Sequence, residues 1–153
     1  MAQPDAARVS KLVLDLAQNQ LNAQIRAADS YDVKSTAVLA FVGIALSLIL
    51  GSKGSLGQGW WIPAALVLAA GAFAVLALID RAYHLGPEAD AFYNQYGGLS
   101  ENEAQVTLLA HLVSSRKSNE GVLKWKSRYF IASVTILVVA GGASVVVLLL
   151  GGK

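Results

Sequence analysis

The residues of this chain that could do acid–base, ligand or phosphate chemistry are few and scattered. There are two histidines, His84 and His111, and no cysteine. The histidines fall in different polar stretches with no HExxH or comparable ligand spacing, so no metal site is expected. The same scatter leaves no nucleophile–base pair to read, and no catalytic residue is expected. The glycine-rich "GSKGSLG" at 51–57 lacks the GxxxxGK[ST] order of a phosphate cradle and is expected to be a flexible turn. The best ligand candidates are basic: Arg81, Arg116, Lys117 and Lys124, with Lys126 and Arg128 close by. Arginine forks phosphate and aromatic faces stack bases, so this set beside Trp125, Tyr93 and Tyr96 could form an anion pocket for a nucleotide. The competing reading of Lys124, Lys126 and Arg128 is simpler, because they flank an apolar run and satisfy the positive-inside rule.

The elements that must position these groups follow from composition. Of 153 residues, 55% are hydrophobic and 14% charged, well below the roughly 25% charged content of soluble domains. The charges are also clustered. Residues 35–79 hold one, Lys53, and residues 129–152 hold none. A hydrocarbon core about 30 Å thick needs roughly 20 apolar helical residues to cross, and an open sheet in lipid would leave backbone groups unpaired. The expectation is an all-α membrane protein with three transmembrane helices, at 35–51, 60–79 and 129–150. An external loop is expected at 52–59 and a short external tail at 151–153. A net charge of +2 is too mild to argue for nucleic acid.

Counting Lys and Arg orients the spans. With the N-terminus inside, ten basic residues lie on the cytoplasmic side, and two, Lys53 and Lys153, lie outside. The expected location is therefore the inner (plasma) membrane, multi-pass, with the N-terminus cytoplasmic and the C-terminus external. The N-terminal 34 residues are too polar and too long for the n-region of a cleaved signal.

Two cytoplasmic segments remain, 1–34 and 80–128, expected to form a helical stalk or bundle. Residues 5–34 contain no glycine or proline, so one helix is expected to run from near Asp5 into the first span. Leu14, Ala17, Leu21, Ile25 and Ala28 recur at helical spacing and need a partner. Arg26 and Asp29 are spaced for an i,i+3 pair. In the second segment, Gly86–Pro87 and Gly97–Gly98 bracket a short helix at 88–95. Ser100 and Glu103 read as a capping box starting a helix at 101–113, with Val106, Leu109 and Val113 on one side. The polar "SSRKSNEG" at 114–121 is expected to bend, loop or expose that helix, and a last helix runs from Val122 into the third span. The N-terminal helix is expected to pack on 101–127.

Small residues supply the packing signal in the spans. Gly43, Ser47 and Gly51 recur every four residues in the first, and Ala140 and Ser144 do so in the third. Without hydrophobic drive in lipid, helices associate where small residues let backbones approach, either within the chain or between copies. Ser35, Thr36, Ser133, Thr135 and Ser144 could line a polar path in an oligomer, or bond back to their own helix carbonyls.

The stretch "RAADSYDVKSTAVLAFVGIALSLIL" resembles the entry to the first span in the Pycsar transmembrane effector family, where a cytoplasmic helix ends in a D-x-K step. Asp32 and Lys34 occupy that step here. "GVLKWKSRYFIASVTILVVAGGA" is similar to the last span of those proteins and of the related SLATT membrane effectors. The resemblance implies bacterial antiphage defence, in which a partner cyclase makes a cyclic nucleotide and the membrane effector responds by disrupting membrane integrity. This chain departs in having no separate nucleotide-binding domain, so the ligand would be held by the short cytoplasmic helices, between subunits of a homo-oligomer. Two other readings stay open: an accessory membrane protein anchoring a partner complex, and a constitutive channel or small transporter.

Overall fold

In the computed structural model the chain is helical almost throughout. It describes residues 3–79, 83–84 and 87–151, with the side chains of 3–10, 89 and 151 outside the description. Helix α1 spans Gln3–Gly51, α2 spans Lys53–Leu56, a 3-10 turn covers Gly57–Trp60, α3 spans Trp61–Leu78, α4 Ala89–Tyr96 and α5 Glu101–Gly151. No strand occurs among the described residues. Three helical segments are long and apolar enough to cross a membrane. The chain is an all-α, multi-pass membrane protein.

It divides into two units. A polar unit comprises Met1–Ala28 and Arg81–Leu123, and a spanning unit comprises Asp29–Asp80 and Lys124–Lys153. Helices α1 and α5 each contribute to both without a break.

Burial along the long helices recurs every seven residues. On α1 the buried positions include Leu21, Ala28, Ser35, Val42 and Ile49; on α5 they are Leu112, Asn119, Lys126, Ser133 and Ala140. Seven is the repeat of left-handed helix packing, in which each seam residue sits in a hole of the facing helix. In the spanning unit, α3 supplies a seam of small side chains, with Ala70, Ala74 and Ala77 fully buried. Gly71 lies so close to Val42 that an added Cβ would stand 3.1 Å from a Val42 methyl. Pairing is ordered along the spans: Ala70 with Ser133, Phe73 with Tyr129 and Gly59 beside Val147. Helices α1 and α5 therefore run in one direction and α3 in the other. Large apolar residues such as Phe41, Leu48, Val138 and Leu149 stay exposed on the outside, where acyl chains rather than water would meet them.

In the polar unit, the α1 stripe holds. Leu21 and Ala28 are buried and Leu14, Ala17 and Ile25 partly so. Arg116 Nη1 donates to Gln20 Oε1 at 2.6 Å, and Gln24 Nε2 donates to the Arg116 carbonyl at 3.3 Å, so α1 packs on α5.

Several expectations need correction. Of the outcomes open to the run 114–121, exposure is the one seen: α5 passes through it, exposed at most positions with Asn119 buried. On the first turns of α5 the side through Val106, Leu109 and Val113 is half-buried only at Leu109, and the buried residue there is Leu112. The loop at 52–59 is ordered as α2 and the 3-10 turn, separated at Gly57, whose φ of +59° suits glycine. The capping box is half formed. The Glu103 carboxylate accepts both the Ser100 amide, at 3.1 Å, and the Ser100 hydroxyl, at 2.6 Å. The hydroxyl thus donates to the carboxylate. Arg26 Nε donates to the Asn22 carbonyl at 3.4 Å.

Candidate functional site

Two cavities in the polar unit could receive a ligand. The larger, about 510 Å³, lies between α4 and the start of α5 and is lined by Pro87, Phe92, Tyr93, Tyr96, Leu99, Ala104 and Leu108 among others. Gly97–Gly98 turns the chain so that α4 folds back on α5, with the Gly97 amide closing on the Tyr93 carbonyl at 2.7 Å. The aromatic rings are mutually set: Phe92 and Tyr96 centroids are 4.9 Å apart, and Phe92 meets His111 edge-on at 6.4 Å. Tyr93 is 74% exposed, so one ring face is open to a flat partner.

The second cavity, about 200 Å³, is polar and lined by His84, His111, Ser114, Ser115 and Ser118. Tyr96 of the first cavity and His111 of the second meet at 3.4 Å between the phenol oxygen and Nε2. His84 is fixed by Asn119, whose side-chain amide donates to the His84 carbonyl and accepts its N–H, each at 2.9 Å. A buried amide satisfied on both sides by backbone is a strong positional constraint. A buried asparagine in a polar run has no hydropathy signal, so Asn119 is not visible in the sequence.

Arg81 lies outside the described residues. Arg116 is engaged with Gln20. Lys117 is exposed in the polar unit and Lys124 in the spanning unit. Trp125 packs on Tyr129, ring centroids 4.4 Å apart. Lys126 is a clear correction. Its side chain is 1% exposed and Nζ donates to both carboxylate oxygens of Asp32, at 2.6 and 2.8 Å. It is a structural cation, because a buried ammonium needs a paired, hydrogen-bonded carboxylate.

Asp32 is thus the more informative member of the D-x-K step. Beside it Tyr31 donates to Ser127 at 3.2 Å and stacks obliquely on Phe130. Lys34 is exposed, its Nζ 5.7 Å from the Tyr31 ring centroid.

Of the small residues, Ala140 is buried in the core of the spanning unit and Ser144 half-buried. Gly43, Ser47 and Gly51 are exposed, and a Cβ at either glycine would meet nothing within 4 Å. Among the described residues this stripe makes no close helix contact; α3 supplies the small seam. Thr36, Ser47 and Ser144 each donate to the carbonyl four residues back. Ser133 donates across to the Ala70 carbonyl at 2.7 Å.

Among the described residues no cluster of three metal-ligating side chains occurs. Comparison with family models, curated proteins and solved structures gives no match for this chain.

Proposed function

We propose that this chain is a homo-oligomeric effector of the bacterial inner membrane in antiphage defence. In this reading the polar unit receives a cyclic-nucleotide signal, made by a partner cyclase, and the spanning unit responds by compromising the membrane. The observation that carries it is the double duty of α5. Ala104 and Leu108 wall the aromatic cavity, and the same uninterrupted helix supplies a span. The base would stack on Phe92, Tyr93 and Tyr96, and its phosphate would take donors from His111 and the serines at 114, 115 and 118. This moves the expected contacts from the basic residues to the two cavities. Binding shifts a packing equilibrium only by its difference in affinity for the two packings. Oligomerisation is supported by Leu12, Leu16, Val106 and Val113, which the polar unit leaves exposed with no acyl chains to cover them.

The test is a membrane-potential dye assay in expressing cells, with cyclic pyrimidine or purine nucleotide production switched on and off. Depolarisation that needs one nucleotide, and that is lost in Tyr93→Ala, supports the reading. Depolarisation without any nucleotide favours a constitutive pore. No depolarisation in any condition favours an accessory anchor.

A further inference from the structure

In the spanning unit a groove of about 350 Å³ runs between α1 and α5. Its lining positions fall within 41–49 on α1, with Ser52 just past that helix, and within 137–148 on α5, joined by Val67 of α3 and by Leu56. Eleven helical steps cover about 17 Å. Half of a hydrocarbon core is about 15 Å. The groove is therefore as long as one leaflet is deep, and it lies in the half of the spans nearest Lys53.

Its wall is apolar in fact as well as in composition. The Ser144 hydroxyl is already committed to the Ala140 carbonyl at 2.9 Å. Gly141 lines the groove, and a Cβ built there would meet nothing within 4 Å, so the space is open above the backbone. At the end of the groove the chain places Ser52 and then Lys53, whose ammonium stands 4.7 Å from the Trp60 ring centroid. Lys53 is the one charged residue within 35–79. An apolar slot of leaflet length, lined by Ser52 and followed in the chain by Lys53 beside Trp60, suits a phospholipid. We infer that this groove binds a phospholipid, with one acyl chain between α1 and α5 and the phosphate at Lys53. An acyl chain fills the slot along its length and restores the dispersion contacts that an open groove forgoes. The inference is independent of any defence role.

The full chain, reconstituted in nanodiscs of dioleoylphosphatidylglycerol and released in mild detergent, would be weighed by native mass spectrometry. The wild type is expected to retain one phospholipid per chain. Gly141→Leu places a side chain in the slot and should cut retention about tenfold, with helicity by circular dichroism unchanged. Lys53→Gln, an exposed change at the mouth, should weaken retention about fivefold. The inference is overturned if the wild type retains no lipid, or if Gly141→Leu retains as much as the wild type. It is equally overturned if that variant dissolves a dimer and leaves lipid retention intact, which would make the occupant a second copy.

Discussion

The Asp32–Lys126 pair joins a fully covered ammonium to a carboxylate that is 38% exposed, so the cost of breaking it falls mainly on the lysine. Asp32→Asn leaves that charge buried without its counter-ion and should destabilise by about 3–5 kcal/mol. The double change Asp32→Leu with Lys126→Met removes both charges and should be neutral or stabilising. Thermal unfolding of the three proteins in one detergent checks this, and a harmless Asp32→Asn would refute it. At the exposed start of α5, Glu103 shows the opposite balance. Its carboxylate accepts the Ser100 hydroxyl and then the Ser100 amide, and both hold its pKa below the ordinary 4.5. Because the folded value is depressed, its contribution is present above the ordinary carboxylate range and is lost as pH falls through the folded value. Ser100→Ala removes the larger cause and keeps the amide, so the Glu103 pKa should rise part of the way back. A side-chain NMR titration measures that directly; an unmoved pKa would show that the hydroxyl has no part in it.

At the scale of elements, the seven-residue seam explains both what was legible in the sequence and what was not. On α1 the stripe through Leu14, Leu21 and Ala28 stands out because polar residues surround it, and it is buried as expected. Inside the spans nearly every neighbour is apolar, so hydropathy cannot mark the seam, and the alanines of α3 look no different from the residues around them. On α5 the seam positions 119, 126 and 133 are Asn, Lys and Ser. A hydropathy reading rejects all three, so the continuation of the seam beyond Leu112 through the polar run 114–121 has no hydropathy signal. The register can be tested by paired truncations. Leu112→Ala should cost about 2–5 kcal/mol, and Val113→Ala, one residue on, within about 0.5 kcal/mol. Likewise Gly71→Ala sets a methyl 3.1 Å from Val42 and should be less favourable than Gly43→Ala, which adds one in open space. Equal costs within either pair, in denaturant or thermal melts, would argue against this register.

For the whole molecule, the direction of the three spans converts charge into topology. With α1 and α5 parallel and α3 opposed, Lys53 and the α2 segment lie at one end of the spanning unit and Asp32 with Lys126 at the other. Of the ten basic residues counted on the Asp32 side, Lys126 is internally neutralised, which leaves nine against two, and the bias that sets orientation survives. The expected arrangement is then Lys53 outside and α5 starting in the cytoplasm. The chain has no cysteine, so single cysteines at the exposed positions Ser55 and Asn102 report each side without background. An impermeant maleimide on intact spheroplasts should label Ser55→Cys and leave Asn102→Cys untouched until the membrane is opened. The reverse pattern would invert the protein, and with it the side from which any signal must reach the aromatic cavity. Labelling of both in intact spheroplasts would mean that the charge bias does not impose a single orientation, and the effector reading would lose its requirement for a receiver facing the cytoplasm.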